Sequence, residues 1–252
     1  MQFFRGYDLT LLANIRIVLV ETSHPGNIGG VARAMKNMMM NNLCLVSPKL
    51  FPSADATARA SGADELLASA VVCDSLQEAV ADCSLVFGAS ARDRTLSWPE
   101  ISPRDCAEKL AKDMGSQQIA IVFGRENSGL KNHELDLCHY LLRIPCNADF
   151  SSLNLAAAVQ ITCYELFVAS GQQQPSSIGD KNEDPLATAE QVEFFYQHLH
   201  QALIDIGFMH PDKSKSIMRR LRRVFNRAQL DTKEVDILRG ILRMSQGKKI
   251  NE

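Results

Sequence analysis

One alternation constrains this chain more than any other feature. Between about residues 15 and 169, short apolar runs rich in β-branched residues fall at 15–20, 43–46, 84–88, 119–123 and 140–144. Stretches of helical periodicity lie between them at 29–39, 75–81 and 104–114. Strand-helix alternation of this kind predicts an α/β fold, a mainly parallel sheet covered on both faces. Polar, glycine-bearing segments follow three of the strands. Asn27-Ile28-Gly29-Gly30-Val31-Ala32-Arg33 comes after the first, and Gly124-Arg125-Glu126-Asn127-Ser128-Gly129-Leu130 after the fourth. Ile144-Pro145 ends the fifth and leads to Ser151-Ser152-Leu153-Asn154-Leu155-Ala156. Open α/β sheets bind ligands at the carboxyl ends of their strands, which is where all three segments sit.

Local chemistry gives these segments structural duties as well. Asn27, behind the Pro25-Gly26 turn, suits a helix N-cap, and Arg33 then lies on the helical turn facing the strand ends. Ser152 and Asn154 stand where a helix over 152–168 begins, so capping is their ordinary role. That helix is apolar around most of its circumference, which predicts burial, part of it against a second subunit. Gly124 and Gly129 lack a Cβ and so let backbone approach a ligand. The Gly26-x-x-Gly29-Gly30 spacing is not the Gly-x-Gly-x-x-Gly of a dinucleotide site.

Three further segments sharpen the pattern: Val20-Glu21-Thr22-Ser23-His24-Pro25-Gly26-Asn27, Ser90-Ala91-Arg92-Asp93-Arg94-Thr95-Leu96-Ser97-Trp98-Pro99 and Leu238-Arg239-Gly240-Ile241-Leu242. Together the motifs resemble the SPOUT methyltransferases. Within that family they resemble the branch that methylates ribose 2′-hydroxyls of RNA, marked by Asn-x-Gly-x-x-x-Arg, Gly-x-Glu-x-x-Gly and Ser-Leu-Asn. They look most like its bacterial members that act on a pyrimidine nucleotide at position 32 of the tRNA anticodon loop. The resemblance runs from about residue 14 almost to the C-terminus.

It implies a trefoil-knotted sheet, a homodimer, and S-adenosylmethionine (SAM) held bent by backbone groups of three loops. Those loops are Ala89-Ser90-Ala91, the segment holding Gly124 and Gly129, and Ile144 through Ser151, Ser152 and Leu153. The resemblance assigns Arg33 to activation of the ribose hydroxyl. A guanidinium is a poor base, so its role is better written as orienting the target phosphate and stabilising the developing alkoxide. Ser152 is implied as a hydrogen-bonding residue beside SAM or the ribose, and Asn154 as a pin for its loop. Glu126 either complements the sulfonium or braces Arg33. The electrophile arrives activated, so this chemistry requires no metal.

Composition bounds the rest. The chain has 252 residues, 46% hydrophobic and 22% charged, which suits a packed core. No apolar run approaches a membrane span, and the N-terminal residues lack a signal-peptide core. Seven cysteines without a Cys-x-x-Cys pair read as reduced thiols of a cytosolic protein. Residues 1–13 read as a flexible extension of a methyltransferase domain ending near 170, and 171–189 as a linker. Residues 190–252 then form a small helical tRNA-binding domain.

Net charge is −2, yet 213–227 holds seven basic residues and no acidic one. These are Lys213, Lys215, Arg219, Arg220, Arg222, Arg223 and Arg227, and the remainder of the chain has 20 basic against 29 acidic residues. On a helical wheel all seven occupy the half opposite Ile217, Met218, Leu221, Val224, Phe225 and Ala228, a cationic face suited to phosphates. Arg92 and Arg94 form a second candidate grip, and Trp98 either stacks on a base or packs. The competing readings are the same chemistry on ribosomal RNA or another tRNA position, and a non-catalytic RNA-binding protein of this fold.

Overall fold

The computed structural model describes residues 9–91, 98–113, 117–171, 184–211 and 214–247. Along the chain run α1 (Leu9–Ala13), β1 (Ile15–Val20), α2 (Pro25–Asn37), β2 (Asn42–Val46), α3 (Ala54–Ala60), α4 (Asp64–Ala68), β3 (Val71–Cys73), α5 (Leu76–Val80), β4 (Leu85–Ala89), β5 (Glu100–Ile101), α6 (Pro103–Asp113), β6 (Ile119–Phe123), α7 (Asn132–Leu135), β7 (Tyr140–Leu142) and α8 (Leu155–Gly171). The seven strands form one parallel sheet in the order β3-β2-β1-β6-β4-β7-β5.

Side-chain alternation explains why this sheet needs two layers of cover. On β1, Ile15, Ile17 and Leu19 enter one core with α1, α2, α3, α4, α6 and α8. Val18 and Val20 enter the other, with α5 and α7. β6 divides in the same way, Ile119, Ile121 and Phe123 against Ala120 and Val122. A strand apolar on both faces belongs in the middle of a covered parallel sheet, and β1 and β6 are its central pair.

Several expectations shift. Helix α2 begins at Pro25, not residue 29: His24 is its N-cap, with Pro25 in the first turn, so Asn27 is not the cap. The strand pairs β2–β3 and β5–β7 include short strands that periodicity could not register, since β3 and β5 hold three and two residues. Within the expected extension, Leu9–Ala13 forms α1, with Leu11 and Leu12 buried in the sheet's core. The α8 helix starts at Leu155 rather than 152, and it leaves Ile161 and Tyr164 exposed.

After α8, residues 172–183 lie outside the described residues. The rest of the expected linker is docked: Ala187 is buried, and its amide donates to the Leu230 carbonyl. Three helices follow, α9 (Ala189–Asp205), α10 (Ser214–Ala228) and α11 (Thr232–Ser245). They share their own small core of Val192, Phe195, Leu199, Met218 and Val235, with Phe195 edge-on to Phe225 at 4.9 Å. The parallel α/β sheet followed by a helical unit is the fold class expected.

Candidate active site

The carboxyl ends of β4, β6 and β7 open into one cleft of about 280 Å³. Its walls include Ala89, Ser90 and Ala91 after β4, Gly124 through Asn127 and Gly129 after β6, and Ile144, Ser151, Ser152 and Leu153 after β7. All nine residues expected to touch the cofactor therefore line a single space. Phe123, Leu142, Leu155 and Ala158 supply an apolar floor that sequence reasoning did not name.

Gly124 is required for a reason other than ligand approach. A Cβ there would lie 2.2 Å from the Gly129 carbonyl carbon, so its absence lets the loop close on itself. The Gly129 amide donates to the Arg125 carbonyl at 2.8 Å, and Gly129 takes φ +64° at that turn.

A chain of hydrogen bonds joins the three motifs. Glu126 accepts from the Ser23 amide (3.1 Å) and hydroxyl (2.9 Å), the His24 amide (3.2 Å) and Asn27 Nδ2 (2.9 Å). Asn27 Oδ1 accepts from Asn154 Nδ2 at 3.1 Å. Asn154 Oδ1 then caps α8, accepting from the Ala156 and Ala157 amides at 2.9 and 3.4 Å. The order of donors follows from chemistry. An ionised carboxylate only accepts, which turns the Asn27 amide nitrogen towards it and the oxygen towards Asn154. Burial works against the Glu126 charge, but the donors from Asn27, its own backbone and Ser23 outweigh it and hold the carboxyl at about 2. The carboxylate also sits at the amino end of α2, where the helix dipole favours negative charge. Among the described residues of the chain, no hydrogen bond or ion pair joins it to Arg33.

The neighbouring Arg125 points the other way and was not singled out from sequence. Its Nε donates to Glu21 at 2.8 Å, with a second, Nη2 bond to the same carboxylate. Nη1 and Nη2 reach Glu134 at 3.0 and 2.8 Å. Hydrogen bonding from Arg125 leads the effects that bring Glu21 down to about 2. Glu21 and Glu126 are consequently both charged at neutral pH. The second motif is held on both flanks, to β1 through Arg125 and to α2 through Glu126.

Ser152 lines the cleft, and among the described residues its hydroxyl has no protein partner. Arg33 does not line it. It lies six residues beyond Asn27, about 9 Å further along α2, exposed and without an ion pair among the described residues. Arg33 is thus not among the residues that line the cleft of its own chain. Trp98 is buried at 8% exposure in the second core, which makes it a packing residue and not a stacking platform. Arg92 and Arg94 lie outside the described residues, as does Lys213.

The basic face of α10 is also thinner than the wheel implied. Arg222 forms a fork on Glu193 (2.6 and 2.8 Å) over the Tyr196 ring, and Arg219 binds Asp136 at 3.1 Å. Both are committed inward because carboxylates of α9 and of the segment after α7 lie across from them. Lys215, Arg220, Arg223 and Arg227 form no ion pair among the described residues.

The geometry on its own defines a class: a parallel α/β protein with a cleft lined by three strand-end loops. Residues 14–164 match the SpoU rRNA Methylase family, and residues 190–252 match the C-terminal domain of the tRNA methyltransferase TrmJ. The chain belongs to the SpoU methylase family, and is a methyltransferase of the SPOUT fold class. Among its relatives is the tRNA (cytidine/uridine/adenosine-2′-O-)-methyltransferase TrmJ of Pseudomonas aeruginosa (strain UCBPP-PA14), 48% identical across 94% of this chain and 95% of that one. The tRNA (cytidine/uridine-2′-O-)-methyltransferase TrmJ of Salmonella typhimurium is also 48% identical, over 92% and 96%. The crystal structure of TrmJ from Z. mobilis ZM4 superposes with a TM-score of 0.79 at 33% identity, covering 91% of this chain and 97% of its own.

Proposed function

We propose that the chain transfers the methyl group of SAM to the ribose 2′-hydroxyl of a pyrimidine, C or U, at position 32 of the tRNA anticodon loop. The observation that carries this reading is the Glu126–Asn27–Asn154 relay, which closes three separate loops around one cleft. Relatives at 48% identity over nearly the whole chain, named as tRNA 2′-O-methyltransferases, support the substrate class.

The cleft suits SAM on its own terms. Backbone of three loops and an apolar floor accommodate an adenosine and a short aliphatic chain. Charge suits it too: Glu21, Glu126 and Glu134 stand against Arg125 and Lys131, a surplus of one negative charge for a sulfonium. When bound, SAM supplies an activated methyl group for in-line displacement. The residues around it position the acceptor and exclude water. Ser152 offers its free hydroxyl to the ribose, and Asn154 holds that loop at the start of α8.

Arg33 completes the site from a second copy of the chain. The exposed apolar face of α8, with Ile161 and Tyr164, is the surface on which that copy packs. There Arg33 orients the target phosphate and stabilises the alkoxide as its proton leaves. The free cations of α10, with Arg92, Arg94 and Lys213, grip phosphates elsewhere on the tRNA.

The test is transfer of labelled methyl from SAM into unmodified bulk tRNA, followed by nucleoside mapping. Label as a 2′-O-methylpyrimidine at position 32 is expected. Label at another tRNA position, or only in ribosomal RNA, overturns the site assignment. One relative's name includes adenosine, so transcripts with each base at position 32 define the base range.

A further inference from the structure

The helix that presents the free cations is also the helix that fastens the C-terminal unit to the catalytic body. Asn226 is buried, and its Nδ2 donates to the Cys138 and Asp136 carbonyls at 3.2 and 3.4 Å. About two turns earlier on α10, Arg219 Nε binds both oxygens of Asp136 at 3.1 Å. Just past the helix end, Gln229 Nε2 donates to the Tyr140 hydroxyl at 2.5 Å.

All three anchors land on residues 136–140, the short passage between the cofactor loop after β6 and the strand leading to the cofactor loop after β7. Tyr140 stands two residues before Leu142, which lines the cleft. Its ring stacks on Phe87 at 5.3 Å, and Phe87 stands two residues before Ala89, another lining residue. At the amino end of the unit, the Ala189 and Glu190 amides donate to the Cys83 and Ala81 carbonyls at 2.8 and 3.1 Å. Lys215, Arg220, Arg223 and Arg227 are left for phosphate on a helix fastened to the strands below it.

We propose that the C-terminal unit works docked, as a spacer of fixed length: the anchors of α10 on residues 136–140 set the distance between phosphate grip and cleft, and thereby which ribose is methylated. Asn226 and Asp136 are then positioning residues. They touch neither tRNA nor SAM, and they act by holding α10. This inference rests on the tRNA reading above. A tethered unit would raise tRNA affinity equally well but would present several nucleotides in turn, so the difference appears in rate and site rather than in binding.

The test uses the full chain with Asn226→Ala and, separately, Asp136→Asn. Asn226→Ala leaves the Tyr196 hydroxyl its bond to the Arg222 carbonyl at 3.1 Å, so the helical core keeps its buried donor satisfied. Three quantities are read: tRNA affinity across a salt series, single-turnover methyl transfer at saturating tRNA, and the mapped position of the label. The expected result is affinity and salt slope within about twofold of wild type, with transfer slowed about 10- to 100-fold and label spread to neighbouring nucleotides. The exchange Asp136→Arg with Arg219→Asp restores part of the rate. Variants that match wild type in rate and label one position overturn the proposal. So do variants that lose tRNA affinity together with the salt slope, since the residues then act as RNA contacts. A wild-type chain that leaves tRNA unlabelled overturns the functional reading itself, which separates the two failures.

Discussion

At the scale of single residues, the site is organised by amides and carboxylates that hold one another. Asn154 both caps α8 and receives its orientation from Asn27. Asn154→Ala should therefore cost about 1 kcal/mol of stability through the lost cap, and raise the KM for SAM while leaving tRNA affinity alone. Urea unfolding and separate titrations of the two substrates check both halves. Glu126 carries a pH signature. Its folded carboxyl lies at about 2, below the ordinary carboxylate range, so its contribution is complete above about pH 4.5 and is lost as pH falls towards 2. The stability gap between wild type and Glu126→Gln should be constant from pH 5 to 8 and shrink below pH 4. A gap independent of pH down to 2 would remove Glu126 from its place in the relay. Residue types at strand ends were legible in the sequence because the chemistry is local and largely backbone. Arg33 was legible as a residue but not as a position, since a helix of unknown start leaves its turn undefined.

At the scale of elements, α2 shows how a local rule can be broken at little cost. The helix stops at Asn37, and Met39 takes φ 58° in the place that usually belongs to glycine. Met40 and Met39 amides return to the Met35 and Lys36 carbonyls at 3.0 and 3.2 Å, a closing pattern that requires the left-handed residue. Met40 and Met35 are buried beneath it. Met39→Gly should stabilise the chain by about 0.5–1 kcal/mol in thermal or urea melts, because the half-exposed side chain contributes little packing. On α10 the apolar arc told which side packs. It could not tell that Arg222 meets Glu193 or that Arg219 meets Asp136, because those partners lie 29 and 83 residues away.

At the scale of the whole molecule, an acidic body bearing one cationic helix is built for a polyanion approached from a defined side. Neutralising Arg220, Arg223 and Arg227 together should weaken tRNA binding and reduce the slope of log affinity against log salt by about 2 to 3. An unchanged slope would take α10 out of the RNA interface. The same substitutions at Arg219 and Arg222 should act through docking and folding instead, visible as lost thermal stability. In the proposed dimer Arg33 of one copy serves the cleft of the other, so mixing Arg33→Ala chains with Ser152→Ala chains should recover activity that neither has alone. The most direct test of the central claim uses a tRNA carrying one 2′-deoxypyrimidine at position 32 and ribose everywhere else. With labelled SAM, that tRNA should bind as the all-ribose tRNA does and take up no methyl group. Label incorporated at the all-ribose level would show that the 2′-hydroxyl at this position is not the acceptor.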